Sequence, residues 1–388
     1  MFPLVTITGE PFERGQQYGA ATAALIRHSI ASYARLFAYR RGMDWEAVQQ
    51  AALAYEPLLH DVAPDLLTEM RGIAVGASRT LAEIIALNVR TELLAGVGVG
   101  FHHPEAAAAL ARNRAAGVPQ HQEQLPATPA TGSDDGECTT AAASPPATAN
   151  GRVWLAQTWD WQGDQRAACV LLRVSGPDTP TLLTLTEAGM VAKIGLNEAG
   201  IAVGLNLLRS RADGQQQGMP VHVLLRQMLQ STDTVTARRL VSQIPAAGSS
   251  CITLAGADGE LVALELTPTG IAEIPAQEGL LAHANHCLDG GTAAGECPLE
   301  PTSTTRERYG RAWELLHAAA GQIDLDVLQV ILRDHDGAPR CICRHPDPRV
   351  AAVDRNESVC GVIIDLRGRT MHVAANIPCQ APFVPFML

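Results

Sequence analysis

The sequence predicts a mixed α/β (α+β) sandwich in which two antiparallel sheets are covered by helices. Three observations favour this class. Apolar side chains in the first hundred residues follow a helical spacing, the chain after Cys138 changes to short apolar runs separated by turns, and helical stretches interrupt those runs in pairs. Helices placed between strand meanders are expected to cover the sheets, because each apolar sheet face needs an apolar partner.

The N-terminal part is predicted to be helical. Apolar residues share one helical face at Leu25, Ile26, Ile30, Tyr33 and Phe37. Thr80 followed by Glu83 has the form of a capping box that begins another helix. Residues from about 104 to 137 lose this periodicity and are rich in Ala, Pro and Gln, which predicts an exposed linker. We therefore expect a helical part, 1–137, and a second part, 138–388, that form one domain together.

The second part predicts strands and turns. Short apolar runs that predict strands lie at 153–158, 169–175, 181–186, 190–196 and 201–207. Turn sequences at 197–200 and 257–260 predict hairpin loops, and a last hairpin at 359–375 is expected to turn at 367–369. Further helices are expected at about 221–230, 234–243, 305–319 and 326–333.

Composition excludes several classes of partner. The chain has 388 residues with 47% hydrophobic content, which is enough to bury a full core. A net charge of −11 argues against nucleic acid, because binding to phosphates requires clustered Lys and Arg. No signal peptide and no apolar run of membrane-spanning length is recognised, so we expect no membrane partner. Nine cysteines without a paired pattern favour reduced thiols and a cytoplasmic location.

Cys138 is the candidate nucleophile. It lies in the segment Gly136-Glu137-Cys138-Thr139-Thr140, between the predicted linker and the first strands. A thiol in this place can attack the preceding carbonyl, form a thioester and, after hydrolysis, become a new N-terminal residue. Its α-amine, with a pKa of about 7.7 to 8.0, then serves as the base for the thiol. The alternative for this segment alone is an ordinary buried cysteine.

Short motifs along nearly the whole chain carry a family resemblance. They lie, in this order, at 9–15, 71–77, 88–92, 138–140, 157–160, 186–189, 195–200, 283–287 and 342–345. In this order the chain resembles the acyl-coenzyme A:6-aminopenicillanic acid acyltransferase family, also called isopenicillin N acyltransferases. The resemblance implies an autoproteolytic N-terminal nucleophile hydrolase with a four-layer αββα fold.

The resemblance also implies the roles of individual residues. It makes Cys138 the nucleophile and the Glu137–Cys138 bond the cleavage site, and it makes Asp160 a carboxylate that orients the nucleophile. It gives Asn285 the role of an oxyanion donor, and it makes Arg344 a fixed positive charge near the nucleophile that lowers the thiol pKa and binds a substrate carboxylate.

The backbone N–H of Asn206 is a further candidate for the oxyanion hole by the same resemblance. Fungal members have glycine where this chain has Glu137, so added bulk and charge at the scissile carbonyl are expected to affect the cleavage rate.

The expected function is hydrolysis or transfer of an acyl group from an amide or thioester of a small molecule, in secondary metabolism such as antibiotic biosynthesis. No cofactor is expected, with a coenzyme A thioester as a candidate co-substrate. The two cleavage fragments, α and β, are expected to stay together as a heterodimer, with higher oligomers left open.

Three alternatives compete with this reading. A metal site at Cys341, Cys343 and His345 is not expected, because the cysteines lack CxxC spacing and a second pair. A conventional Cys–His protease would use His283, His286 or His345 as its base. A catalytically silent binding protein would keep the fold and never be cleaved.

Overall fold

Two sheets packed face to face form the centre of the molecule in a computed structural model, which describes residues 1–96 and 138–388. The predicted linker and Glu137 lie outside these residues. The strands are β1 (Leu4–Thr8), β2 (Thr139–Ala143), β3 (Trp154–Gln162), β4 (Cys169–Ser175), β5 (Leu182–Glu187), β6 (Ile194–Asn197), β7 (Ile201–Leu207), β8 (Ser250–Gly256), β9 (Leu261–Thr267), β10 (Gly270–Pro275), β11 (Leu280–His283), β12 (Asn356–Asp365), β13 (Thr370–Ala374) and β14 (Val384–Met387).

Helices cover the sheets on their outer sides. Those in the described residues are α1 (Pro11–Arg41), α2 (Trp45–Leu53), α3 (Glu56–Val62), α4 (Pro64–Ala77), α5 (Leu81–Asn88), α6 (Arg90–Ala95), α7 (Val221–Leu229), α8 (Thr234–Leu240), α9 (Gly290–Ala294), α10 (Thr305–Ala318) and α11 (Leu325–Leu332). None of the helices in 1–96 and 138–388 has both the length and the apolar character that crossing a membrane requires.

The strand order establishes the four layers. The eight-stranded sheet has the order β1-β4-β5-β6-β7-β8-β9-β10, and the six-stranded sheet has the order β11-β2-β3-β12-β13-β14. Helices α7 and α8 contact the first sheet, α10 and α11 contact the second, and β2 and β3 contact β7 between them. The predicted αββα sandwich is therefore confirmed. One neighbouring pair is parallel, namely β1 with β4, whereas antiparallel sheets were predicted.

The boundaries of several predicted elements agree with the structure. The 197–200 turn joins β6 to β7, and β12 and β13 form the predicted last hairpin. Thr80 and Glu83 form the predicted capping box of α5. Two expectations were wrong: the N-terminal part contributes β1 as well as helices, and the strand predicted at 190–196 begins only at Ile194.

Alternation along β2 decides which layer each side chain near Cys138 reaches. Successive side chains of a strand point to opposite faces. Cys138 and Ala142 belong to the core between the two sheets, whereas Ala141 and Ala143 belong to the smaller core beneath α10 and α11. Cys138, directly before β2, therefore directs its thiol between the sheets.

Candidate active site

The backbone of Cys138 is held on both sides by polar side chains. Its N–H donates to Oδ1 of Asn285 at 2.8 Å. Its carbonyl oxygen accepts from Nδ2 of Asn206 at 3.0 Å and from Nη1 of Arg308 at 2.8 Å. Asn206 comes from β7 of the facing sheet, Asn285 follows β11, and Arg308 lies on α10. Three separate elements thus fix the position of one residue.

Arg308 connects the groups around Cys138, and the sequence analysis did not single it out. Besides the Cys138 carbonyl, Nη1 donates to Oγ1 of Thr139 at 2.8 Å, and Nη2 donates to Oδ1 of Asn285 at 3.1 Å. Arg308 is buried on the same face of α10 as Ala312 and Leu316. That spacing was a usable signal, because an arginine inside an apolar helical stripe is rarely placed there without partners.

The Cys138 thiol is neutral in the uncleaved chain. Burial and, to a smaller extent, the nearby Asp160 carboxylate raise the pKa of this thiol to about 11. The backbone N–H of Asp160 donates to the sulfur and opposes this shift, as do the positive charges of Lys193 and Arg308. Since only the thiolate is strongly nucleophilic, the site needs a base that removes the thiol proton.

Asp160 lies on β3, opposite Ser358 of β12. The Ser358 hydroxyl donates to Oδ1 of Asp160 at 2.7 Å. Burial raises the pKa of Asp160 to about 7, although the Arg308 charge and the bond from Ser358 act against this rise. A carboxylate with such a pKa can gain or lose a proton near neutral pH.

Arg344 is buried next to this carboxylate network. Its backbone N–H donates to Oγ of Ser358 at 2.9 Å, and its carbonyl accepts from the Ser358 N–H at 3.0 Å. The same Ser358 hydroxyl bonds Asp160. The structure therefore brings Arg344 and Asp160 together through Ser358, and the predicted role of the guanidinium toward a substrate stays a prediction.

The two predicted oxyanion donors have defined partners. Nδ2 of Asn285 donates one of its two hydrogens to the Leu207 carbonyl at 3.0 Å. The other hydrogen is the one that would bind the oxyanion in the predicted role. Asn206 was predicted to act through its backbone N–H, but the structure adds a contact of its side chain with the Cys138 carbonyl. The Asn206 amide is oriented by Thr140, whose hydroxyl donates to Oδ1 at 2.7 Å.

A narrow pocket lies beside Cys138 between the sheets. Its wall is formed by Arg90, Thr91, Trp159, Asp160, Trp161, Lys193, Leu205, Leu207 and His222, together with Cys138. The indole rings and leucines make part of this wall apolar, whereas the remaining residues supply charges and hydrogen-bonding groups. With a free volume of only about 10 Å³ it is too small to hold an acyl group as it stands, and it supplies a partly apolar wall next to Cys138.

Lys193 is the only lysine in the sequence, and it is buried in this pocket. Its Nζ lies 3.1 Å from Oε2 of Glu187 and 3.3 Å from the centre of the Trp159 ring. Burial lowers the pKa of Lys193 to about 8. The sequence analysis missed this residue, although a unique lysine within an apolar run is an unusual feature.

Glu187 balances the charge of Lys193 and Arg90. Nη2 of Arg90 donates to Oε2 of Glu187 at 2.8 Å. Burial disfavours the ionised form of Glu187, but the two positive charges outweigh burial and lower its pKa to about 2. Two cations thus share one carboxylate, which leaves this side of the pocket electrostatically positive.

Two of the three histidines proposed for a Cys–His protease, His283 and His286, have other partners. Nε2 of His283 lies 3.0 Å from Oε1 of Glu265, and Nδ1 lies 2.9 Å from the Ala284 carbonyl oxygen. Burial disfavours the charged imidazole, but Cys251 and Glu265 outweigh burial and raise the pKa of His283 to about 10. Nδ1 of His286 lies 3.0 Å from the Thr305 hydroxyl. His283 therefore forms a Cys–His–Glu arrangement with Cys251, and not with Cys138.

Comparisons with known proteins indicate the same family as the sequence motifs. Residues 147–377 match the family model described as acyl-coenzyme A:6-aminopenicillanic acid acyl-transferase. The chain is 28% identical over 377 residues to the acyl-coenzyme A:6-aminopenicillanic-acid-acyltransferase 40 kDa form of Emericella nidulans, which covers 96% of this chain and 92% of that protein.

Two solved structures are similar at low identity. The Caenorhabditis elegans N-acylethanolamine-hydrolyzing acid amidase ortholog has 14% identity and a TM-score of 0.44, covering 59% of this chain and 93% of that chain. Penicillin V acylase from Agrobacterium tumefaciens has 15% identity and a TM-score of 0.41, covering 61% of this chain and 82% of that chain. Because both scores are below 0.5, the fold rests on the sheets described above.

The family match spans more than half of the chain and includes β3, β7, Asn285 and Arg344. The similarity to the Emericella nidulans protein extends over nearly the full length of both proteins. The chain therefore belongs to the acyl-coenzyme A:6-aminopenicillanic acid acyl-transferase family.

Proposed function

We propose that this chain is a self-processing cysteine N-terminal nucleophile enzyme that hydrolyses or transfers an acyl group through a thioester on Cys138. The observation that carries the proposal is the set of contacts on the Cys138 backbone, from Asn285 to its nitrogen and from Asn206 and Arg308 to its carbonyl. These contacts hold the nitrogen of the Glu137–Cys138 bond in place, which favours an intramolecular attack by the neighbouring thiol.

Self-cleavage begins with attack of the Cys138 sulfur on the Glu137 carbonyl carbon. Asp160 takes the thiol proton, because a carboxyl group with a pKa of about 7 can accept and release a proton at neutral pH. The bond between the Glu137 carbonyl and the Cys138 nitrogen breaks as the nitrogen takes up the proton from Asp160, and a thioester remains. Water then hydrolyses the thioester, which releases the Glu137 carboxylate and leaves Cys138 with a free thiol and a free α-amine.

Turnover uses the α-amine as the base, with a pKa of about 7.7 to 8.0 in a reference peptide. It takes the thiol proton, and the thiolate attacks the acyl carbonyl of the substrate. Asn285 and the backbone N–H of Asn206 stabilise the oxyanion that forms. The protonated amine then gives its proton to the leaving group, and water or an acceptor amine resolves the acyl-cysteine.

The substrate is proposed to be a small molecule with an acyl group bound through an amide or a thioester. The relative from Emericella nidulans carries acyl-coenzyme A and 6-aminopenicillanic acid in its name. Trp159, Leu205 and Leu207 give Cys138 apolar neighbours that suit an acyl chain, and the pocket has to widen from its present volume of about 10 Å³ to admit one. A coenzyme A thioester is the corresponding acyl donor in this proposal, within secondary metabolism.

Intact-mass spectrometry of the purified protein tests self-processing directly. We expect two fragments, residues 1–137 and 138–388, and a single full-length mass for Cys138→Ala, because the sulfur is the attacking atom. Cys251→Ala is the matched control, since it removes another buried thiol and should cleave normally. A wild-type chain that stays at full length after days at neutral pH would contradict the proposal and favour a silent member of the fold.

The Cys251–His283–Glu265 arrangement is the second candidate site, because a cysteine, a histidine and a carboxylate meet there. All three side chains are buried with no exposed surface, so substrate has no direct access to this thiol. If it is the active site, Cys251→Ala abolishes amide hydrolysis and Cys138→Ala retains it. We expect the reverse, measured with a panel of small-molecule amides.

A further inference from the structure

Two histidines and two cysteines meet at a second place in the fold. His335, Cys343, His345 and Cys379 place one potential ligand atom each within 4.8 Å of all the others. The first three belong to the segment after α11, and Cys379 belongs to the loop between β13 and β14. We propose that these four residues form a zinc site.

The ligand set fits zinc in both number and type. Two thiolates and two imidazoles are a common tetrahedral set for a structural zinc ion. Zinc bonds of about 2.0–2.1 Å to nitrogen and about 2.3 Å to sulfur place tetrahedral ligand atoms about 3.3 to 3.8 Å apart. Nε2 of His335 and Nε2 of His345 are 3.1 Å apart, and Sγ of Cys379 is 3.3 Å from Nε2 of His345.

Hydrogen bonding alone does not satisfy this geometry. A ring nitrogen of histidine carries either one hydrogen or one lone pair, so it makes one good in-plane hydrogen bond. Nε2 of His345 nevertheless lies at hydrogen-bonding distance from both His335 and Cys379. A cation between the four ligand atoms would accept all their lone pairs at once. Two thiolates with Zn²⁺ are also neutral together, which suits a site whose Cys343 side chain is buried.

The backbone holds the ligands in place before any metal binds. The Cys343 N–H donates to the Asp334 carbonyl at 3.0 Å, and the His345 N–H donates to the Pro339 carbonyl at 2.9 Å. Nε of Arg333 donates to the Pro378 carbonyl at 3.0 Å and thereby joins the end of α11 to the loop of Cys379. A ligand set fixed by its surroundings loses less entropy when the ion binds.

Cys341 belonged to the metal site considered from the sequence, but it is not one of the four residues that meet in the structure. Its thiol donates to the Cys343 carbonyl at 3.0 Å. Cys379 and His335 replace it, and together they supply the second pair that the sequence appeared to lack. The expectation of no metal was drawn from local spacing, which cannot show a ligand that lies 34 residues further along.

The site also has a position from which it can support the candidate active site. Cys343 and His345 flank Arg344, whose backbone bonds Ser358, and Ser358 bonds Asp160. A zinc ion on both flanking side chains would fix the segment that carries Arg344. Binding releases the two thiol protons to solvent, since zinc takes the cysteines as thiolates.

Metal binding to the purified full-length Cys138→Ala chain tests the proposal independently of catalysis. The chain is stripped of metal under reducing conditions and titrated with Zn²⁺ against a chromophoric chelator, and a parallel sample receives Co²⁺. We expect about one zinc per chain and a cobalt spectrum with thiolate charge-transfer absorption. Cys379→Ser and His335→Gln should each weaken zinc binding by more than about 100-fold, because even outer ligand partners are worth about 10- to 100-fold.

Matched controls are Cys297→Ser and His60→Gln, which remove a cysteine and an exposed histidine elsewhere and should bind zinc like the parent chain. Both ligand variants change exposed residues, and circular dichroism checks that they fold. The proposal is overturned by absence of stoichiometric zinc binding, by unchanged affinity in the two ligand variants, or by a Cys343–Cys379 disulfide that persists under the reducing conditions.

Discussion

Cys138 is positioned by side chains that are distant in sequence, and Arg308 alone makes three hydrogen bonds there. Its guanidinium donates to the Cys138 carbonyl, the Thr139 hydroxyl and the Asn285 amide oxygen. A planar fork can serve three acceptors at fixed angles, which a single ammonium group cannot do. In the proposed mechanism Arg308 is therefore a positioning residue that acts on Cys138 through its backbone.

Arg308→Lys should slow self-cleavage by roughly 10- to 100-fold, because it removes one or two charge-assisted hydrogen bonds while keeping the charge. Cell-free synthesis followed by a time course of intact mass measures the rate. Arg306→Lys is the control, since Arg306 lies on the same helix and is exposed. Equal rates for the two variants would remove Arg308 from the site.

At the residue scale the sequence indicated which residues come together near Cys138 better than it indicated the contacts between them. Motif order brought forward Cys138, Asp160, Asn285 and Arg344, and the structure places their backbones or side chains in one connected network. Arg308 was not found, because three arginines occur within one helix and only packing decides which one is buried.

Helices α1 and α4 cross at unusually short distance, and glycines make this contact feasible. A Cβ atom added at Gly72 would lie 2.2 Å from the Phe12 carbonyl oxygen, and one added at Gly15 would lie 2.0 Å from the Glu69 carbonyl oxygen. Both obstacles are backbone atoms, so a side-chain rotation cannot relieve them. This contact explains why glycines occur in the motifs at 9–15 and 71–77.

Gly72→Ala should therefore destabilise the protein by about 1–3 kcal/mol through overpacking. Gly310→Ala should instead stabilise it by about 0.5–1 kcal/mol, because Gly310 lies in α10 with open space around its Cα and alanine favours the helix. Urea denaturation of both variants in the Cys138→Ala background measures the two changes. The same sign for both would show that the α1–α4 contact does not depend on glycine.

At the element scale, helices and hairpins with strong local signals were predicted well. The capping box at Thr80 and the turn at 197–200 depend on neighbouring residues alone, and both were confirmed. Strand β1 was missed because its partner is β4, more than 160 residues away, and no local pattern records that pairing. Cys379, one of the proposed zinc ligands, was missed for the same reason, since it reaches the cluster only through tertiary folding.

The N-terminal helices and the strand part share one core. Glu69 of α4 bonds both Arg14 of α1 and Arg226 of α7, and all three side chains are buried. Glu187 of β5 accepts from Tyr33 of α1 and Arg90 of α6. Apolar residues of both parts also belong to the same hydrophobic cluster. Separating the two parts would expose buried charges together with this apolar surface.

We therefore predict that fragments 1–137 and 138–388 elute together in size-exclusion chromatography after self-cleavage and separate only in denaturant. Arg226→Met should weaken their association by about 3–5 kcal/mol, because it leaves Glu69 buried with one cation fewer. Arg238→Met is the control, since it removes only the partly exposed ion pairs with Glu260 and Glu273 within the second part and should cost less than about 1 kcal/mol. Separate elution of the wild-type fragments in native buffer would contradict the prediction.

The burial of Lys193 also determines how the whole molecule reacts with reagents for primary amines. With the chain's single ε-amine enclosed between Trp159 and Glu187, such reagents meet only α-amines at the surface. Each self-cleavage would add one α-amine, on a residue that also carries a thiol, and once denaturant exposes the buried Cys138 this pair condenses with aldehydes to form a thiazolidine ring. The protein would thus carry a chemical tag that records its own maturation.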